Sequence, residues 1–312
     1  MAPRRILLTG AGGFVAAHLR PLLRAAFPEA AIIELGGQGA KLDLADGPAV
    51  ARFVADSAPD ACIHLAAVTA VPAANADPDA AWRVNLLGTL SLARALQAAN
   101  PQAVLLFASS AELYGRSFAA GVALDEGALP APMNTYAATK AAADLALGAM
   151  AATGLRVIRM RPFNHTGPGQ SPSFVVPAFA RQVARIAAGL QEPRLQVGAL
   201  DPYRDFLDVR DVCAAYVAAL AHADSLAPGA IFNVASGIPR RIGDILEALM
   251  AMAGVQAEVS TGQALLRKAE IPTASGNASA ARAALGWAPA IAWERTLADV
   301  LADWHVRVRA EG

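Results

Sequence analysis

The sequence lacks any excess of charge. Lys plus Arg and Asp plus Glu both number 26, so the chain is formally neutral. That balance removes the nucleic-acid backbone and the acidic membrane surface as expected partners. Sulfur is scarce. The two cysteines, Cys62 and Cys213, each sit inside an apolar run and read as buried thiols. The five histidines and two cysteines show no zinc-ligand spacing, so no metal site is expected. The N-terminus, Met1-Ala2-Pro3-Arg4-Arg5, has no secretory apolar region or cleavage site. The most apolar stretches are too short for a membrane span or are broken by Pro and His, as in residues 61–76. Internal repeats, low-complexity tails and flexible linkers are missing as well. A soluble, cytoplasmic protein is the expectation.

What is present is alanine-rich and 55% hydrophobic over 312 residues, enough to bury a core in one large α/β domain or two interleaved ones. Strand-like runs at Ile6-Leu7-Leu8, 31–35, 61–65 and 103–108 alternate with helical stretches at 14–26, 47–57 and 79–99. This rhythm predicts a parallel sheet with helices on both faces. Between the first strand and helix lies Gly10-x-x-Gly13-x-x-Ala16. Strand, glycine turn and helix together suit a dinucleotide pyrophosphate, because glycine admits close approach and the helix N-terminus offers free N–H groups. The same turn could also serve another α/β protein. Asp43-Leu44 follows the second strand, where Asp43 could accept from an adenine amino group or serve as a loop cap. Glu34 could take the ribose hydroxyls and disfavour a 2′-phosphate. No Arg follows this strand, although Lys41 is near, so the coenzyme reading leans to NAD(H) over NADP(H).

Tyr136 and Lys140 lie four residues apart in Asn134-Thr135-Tyr136-Ala137-Ala138-Thr139-Lys140, on one face of a helix. A phenol near its usual pKa of about 10 is a poor acid–base catalyst at neutral pH. A neighbouring ammonium is expected to pull that pKa down. Ser109-Ser110 stands between the glycine loop and this pair.

Taken together, these motifs resemble the extended short-chain dehydrogenase/reductase superfamily. They are Thr9-Gly10-Ala11-Gly12-Gly13-Phe14-Val15, His64-Leu65-Ala66-Ala67, Val84-Asn85-Leu86-Leu87-Gly88-Thr89, Ser109-Ser110-Ala111-Glu112-Leu113-Tyr114-Gly115 and Tyr136-x-x-x-Lys140. The resemblance implies a Rossmann-like doubly wound parallel sheet with a smaller mixed α/β substrate-binding domain. It divides the chain into a dinucleotide domain of 1–164 plus about 208–236 and a nucleotide-sugar domain of about 165–207 plus 237–312. Coenzyme contacts are implied at Gly10, Gly13, Phe14, Val15, Asp43 and Leu44, and at Leu65, Ala66, Ala67, Tyr136, Lys140 and Pro162. Tyr136 is the implied proton donor, Lys140 its partner and the holder of the nicotinamide ribose, and Ser110 the donor to the reacting oxygen. Ser109 could share that role, or both serines could satisfy backbone at a strand end.

The second half resembles the nucleotide-sugar-modifying members. Arg161-Pro162-Phe163-Asn164-His165-Thr166-Gly167-Pro168-Gly169-Gln170, Gly198–Phe206 and Leu266–Pro272 carry that likeness. Within the group the run from Asn164 through Val176 is most similar to GDP-4-keto-6-deoxy-D-mannose reductases, with GDP-mannose 4,6-dehydratases next. Arginine forks suit a diphosphate, so Arg267, with Arg204 second, is expected on the pyrophosphate. Glu270 is implied on the nucleoside, Asn164 on the diphosphate or sugar, and Val176 in the nucleotide pocket. Glu112 stands where the dehydratases carry an added acid–base group, which keeps a dehydratase open beside the reductase. An epimerase is a further alternative. A dinucleotide-binding module without turnover is a third class, and the intact Ser110, Tyr136 and Lys140 argue against it. His165 and His64 read as structural, and Arg181 and Arg185 as a solvated helix face. The helices around 81–99 and 136–153 are apolar on more than one face, and in the resembled family such helices pair, so a homodimer is expected.

Overall fold

The computed structural model describes residues 2–262 and 271–311. Six strands form one parallel sheet: β1 (Arg5–Thr9), β2 (Ala31–Leu35), β3 (Ala61–His64), β4 (Val104–Ala108), β5 (Val157–Pro162) and β9 (Ile231–Val234), in the order β2-β1-β3-β4-β5-β9. The sheet is of Rossmann type. Strand order reverses on either side of β1, and the crevice above the carboxyl ends at such a switch point is where ligands of open α/β sheets bind.

Alternation along the strands builds two cores. Ile6, Leu8 and Ile63 face α1 (Phe14–Ala26) and α8 (Val209–Ala221). Leu7, Cys62, Leu105 and Phe107 face α2 (Gly47–Ser57), α5 (Thr89–Ala99) and α6 (Thr135–Ala151). Both cysteines are buried, as their apolar contexts require. A third core forms among α7 (Val175–Ala187), α9 (Ile242–Ala253) and α11 (Trp293–Arg309). Beside it, β8 (Tyr203–Asp208) pairs with β6 (Asn164–Thr166), β10 (Pro239–Arg241) and β12 (Thr273–Ala274), and β7 (Arg194–Val197) pairs with β11 (Glu258–Thr261). Among the described residues no helix is long and apolar enough to cross a membrane.

The helix expected over 79–99 is not uniform. It runs as α4 (Pro78–Trp82), a π-helical stretch Arg83–Gly88, then α5. Two local contacts accompany the widened turn. Gly88 backs onto Leu44, whose Cβ would lie 2.9 Å from any Cβ at that position. Asn85 bonds outward to Val68 and Thr139. Such turns concentrate at functional sites.

α6 is locked to β5 by buried charge. Asp144, 1% exposed, accepts from Arg161 at 2.8 and 3.2 Å and from Arg159 at 3.2 Å. Arg161 also donates to the Tyr114 hydroxyl (2.9 Å), which donates to Asn233 of β9 (2.8 Å). Removing one member of a buried ion pair strands the others in a low dielectric and costs about 3–5 kcal/mol. Asp144→Ala should therefore lower the unfolding free energy by about that much, read by urea denaturation. A loss of only a few tenths would show that water reaches these guanidiniums.

Candidate active site

The glycine loop ends β1 and starts α1. Gly10 has φ +67°, and a Cβ there would lie 2.8 Å from the Ala66 nitrogen. Glycine is thus required first by the close approach of the loop to the Leu65–Ala66 peptide. Gly13, exposed, caps α1 without a side-chain hydrogen bond, and the first turn of the helix carries no acid. Free N–H groups, a positive dipole end and no competing carboxylate suit a pyrophosphate. Ala16, in the third glycine's place, is fully buried against the sheet. Half-buried Phe14 stacks on His165 at 6.4 Å, and Val15 follows it. Leu65, Ala66 and Ala67 leave β3 half-buried beside this loop, and Pro162 ends β5. Leu44 is buried, whereas Asp43 is exposed and accepts from the Ala45 nitrogen at 2.9 Å, the loop-cap geometry.

A chain of buried hydrogen bonds sets the ends of β1 and β3. Thr89 donates to the Asn85 carbonyl (2.7 Å), so it accepts from His64 Nε2 (2.9 Å). His64 Nδ1 accepts from Thr9 (2.7 Å), which accepts from the Ala66 nitrogen (3.2 Å). Burial and the Lys140 charge hold His64 neutral, its pKa lowered to about 3. His165 donates from Nδ1 to the Phe163 carbonyl at 2.9 Å, and burial lowers its pKa. Both histidines have the structural geometry expected of them.

Ser110, Tyr136 and Lys140 meet at the carboxyl end of β4. Asn134 caps α6 by accepting from the Ala137 nitrogen at 2.8 Å. Asn85 donates to Thr139 (2.9 Å), which donates to the Tyr136 carbonyl (2.8 Å), so the π-helical turn braces the tyrosine's backbone. The Ser110 hydroxyl accepts from the Glu112 nitrogen at 3.2 Å and donates to the Tyr136 phenol. Buried Lys140 donates to the Ala108 carbonyl and lies 4.3 Å from the Phe107 ring centre.

The expected lowering of the phenol does not hold. Burial pushes the Tyr136 pKa up to about 12, against the Ser110 hydrogen bond and with the help of the Glu112 charge. The ammonium is directed at a backbone carbonyl, and burial brings Lys140 down to about 7 despite the opposing Asp144 charge. The phenol stays protonated throughout the neutral range.

Glu112 is half-buried at the mouth of this group, with the Asn134 amide at 3.5 Å. The Ser109 hydroxyl is buried with no hydrogen-bond partner among the described residues, a donor in want of an acceptor at the strand end. On the substrate side, half-buried Asn164 pairs with Phe206 across β6 and β8. Arg204, two residues back on β8, donates to the Tyr203 and Ile271 carbonyls, both at 2.8 Å. Val176, expected to line the nucleotide pocket, is 1% exposed and packs in the third core, so its side chain supports α7 from within. Arg267 and Glu270 lie outside the described residues. Arg181 and Arg185 pair with Glu311 on the surface.

Asn85, Thr139, Asn134 and Arg20 were not singled out by sequence. Asn85 and Asn134 sit inside recognisable motifs, but their partners are distant in sequence. Arg20 forms a fork with Glu34, at 2.6 and 3.3 Å, and this corrects the simple picture of Glu34 as a ribose acceptor that repels phosphate.

A family model for the NAD dependent epimerase/dehydratase family matches residues 6–235. The chain is 40% identical over 309 residues to the GDP-6-deoxy-D-mannose reductase of Pseudomonas aeruginosa, covering 99% of each. It is 29% identical over 280 residues to the GDP-6-deoxy-D-talose 4-dehydrogenase of Aggregatibacter actinomycetemcomitans, covering 88% of this chain and 89% of that one. The solved structure of RMD from Pseudomonas aeruginosa complexed with NADPH matches with a TM-score of 0.88 at 39% identity, covering 97% of this chain and 99% of that one. With its parallel sheet, glycine loop and Ser110–Tyr136–Lys140 group, this chain is an NAD(P)-dependent oxidoreductase of the extended short-chain type and belongs to the NAD dependent epimerase/dehydratase family.

Proposed function

We propose that the protein reduces the C4 ketone of a nucleotide-linked 4-keto-6-deoxy sugar, GDP-4-keto-6-deoxy-D-mannose, to GDP-D-rhamnose. The observation that carries this reading is the meeting of Ser110, Tyr136 and the buried Lys140 at the carboxyl end of β4, beside the glycine loop. The whole-length likeness to a GDP-6-deoxy-D-mannose reductase supports the substrate class. The glycine cradle and the uncapped α1 fit a dinucleotide pyrophosphate, and a nicotinamide held there would supply the hydride for the carbonyl carbon. As charge grows on the carbonyl oxygen, Ser110 turns its hydrogen bond from the phenol to that oxygen and Tyr136 transfers its proton there. Lys140, which donates to the Ala108 carbonyl in this structure, would offer a donor for a ribose hydroxyl. Asn164 and Arg204 form one wall for the nucleotide sugar, with Arg267 and Glu270 as further contacts.

We take the chain to divide into a coenzyme lobe of 1–164 plus about 208–236 and a sugar lobe of 165–207 plus 237–312. In support, α8 packs on α1 and β9 joins the parallel sheet. The protein is proposed to work in the cytoplasm as a homodimer. Exposed Leu87 and Leu145 (54% and 56%) project from the adjoining π-helical stretch and α6, an apolar face that a second copy would cover. Light scattering at micromolar concentration should give twice the 32.0 kDa chain mass. A mass near 32.0 kDa would remove the dimer.

Glu112 favours one second reading, a GDP-mannose 4,6-dehydratase. Its charge reaches Tyr136, and loss of water across C5–C6 needs such an added base. Absorbance at 340 nm separates the two. Stoichiometric loss of NADPH or NADH with GDP-4-keto-6-deoxymannose is the result for a reductase. Formation of the keto sugar from GDP-mannose, with no net coenzyme use, would replace it with the dehydratase. Tyr136→Phe should lower kcat by roughly 100- to 10,000-fold while coenzyme binding, followed by fluorescence, persists. Full turnover in this variant would show that another group donates the proton.

A further inference from the structure

A long-range hydrogen bond joins α1 to the segment that follows β6, outside the parallel sheet. Half-buried His18 lies four residues after Phe14 on α1, on the same helix face. Its Nε2 donates to the Pro168 carbonyl at 2.8 Å, across 150 residues of sequence. The Phe14 ring meets the His18 ring edge-on at 5.3 Å and stacks on His165 at 6.4 Å, with 5° between the planes. Gly167 completes the contact. A Cβ there would lie 2.6 Å from Val209 Cγ1 and 3.7 Å from Phe14 Cζ, so only glycine lets the segment lie this close to α1 and α8.

Residues 165–170 form a closed strap. The buried Gln170 side chain accepts from the Thr166 hydroxyl (2.7 Å) and donates to the His165 carbonyl (3.1 Å), tying the two ends together. The far end is held by α11. Asp303 accepts from the Gly169 nitrogen at 2.9 Å, and Arg307 donates to the Gln170 carbonyl at 3.2 Å. At the near end the strap continues directly from Asn164, which pairs with Phe206 of β8. In the middle, Pro168 has no N–H to give and Gly169, at φ +88°, has no side chain, so the Pro168 carbonyl is the handle by which α1 holds the strap. The strap therefore rests on the coenzyme helix at Phe14 and His18, and on the sugar lobe at α11, with Asn164 at its root. A ligand that fixes the first turn of α1 fixes the platform under His165, Gly167 and Pro168.

We propose that His18 is a positioning residue that couples the two ligands of this protein. A dinucleotide at the N-terminus of α1 sets the 165–170 strap through Phe14 and His18, and the strap presents Asn164 to the diphosphate of the nucleotide sugar. Each ligand then binds more tightly in the presence of the other, by the same factor in both directions. This rests on the coenzyme and nucleotide-sugar reading proposed above.

The test is calorimetric titration of GDP into the protein alone and into the protein saturated with NADPH, for the wild type, His18→Ala, His18→Asn and His18→Gln. GDP carries the diphosphate without the sugar ring, so direct contact between nicotinamide and sugar does not enter. In the wild type NADPH should tighten GDP by about fivefold or more, the usual lower range of such coupling. In His18→Ala that ratio should fall close to one while the affinity for NADPH alone stays nearly unchanged. His18→Asn, too short to reach the Pro168 carbonyl, should match the alanine variant. His18→Gln keeps an N–H donor at similar reach and should restore most of the coupling. In turnover, His18→Ala should raise KM for the nucleotide sugar more than it lowers kcat. The wild-type ratio persisting in His18→Ala and His18→Asn would overturn the inference and leave the bond a structural tie. Wild-type protein that binds both ligands with no mutual effect would overturn it as well. Failure of the wild type to bind GDP or NADPH at all would sink the nucleotide-sugar or the coenzyme reading itself, and the inference with it.

Discussion

A single buried carboxylate organises α6, the helix that carries Tyr136 and Lys140. Asp144 takes hydrogen bonds from Arg159 and Arg161 of β5 and so fixes α6 against the sheet. Arg161 extends the tie through Tyr114 to Asn233 on β9, an edge strand of the sheet. One turn before Asp144, on the same helix, Lys140 is buried as well. Desolvation of Lys140 outweighs the opposing charge of Asp144, and the amine's pKa falls to about 7.

Burial shifts Tyr136 in the opposite sense to Lys140. Ionisation away from water costs the phenol more than the Ser110 hydrogen bond returns, so Tyr136 stays protonated at neutral pH. In a ketone reduction that is the useful state, because the transition state needs a proton where charge develops. Around it, the π-helical turn at Asn85 and the Asn134 cap hold the start of α6 from two sides. The His64–Thr9–Thr89 chain holds the ends of β1 and β3, from which the glycine loop departs.

Much of this was legible because it is local. Apolar runs of strand length, the glycine turn and the Tyr136–Lys140 spacing are short-range signals, and the parallel order of the sheet follows from their alternation. What sequence missed depends on contacts across the fold. Glu34 looked like a lone acid because Arg20 reaches it from the preceding helix. Tyr136 was expected to be acidified by Lys140, since spacing shows proximity and not the burial that dominates both groups. Val176 lies in a pocket-like motif, yet its side chain faces the third core. The helix over 79–99 carries a widened turn that no periodicity reveals, because its contacts to Leu44, Val68 and Thr139 come from three other segments.

The most direct measurement is a pH titration of the lysine side chains by NMR, with 13C at the ε position. The chain has three lysines, Lys41, Lys140 and Lys268, and Lys140→Met assigns the resonance of interest. On this account the Lys140 amine of the free protein titrates at about 7, well below the roughly 10.4 of an exposed lysine. A Lys140 resonance titrating at the exposed value would contradict it, since the ammonium would then be solvated or fully paired.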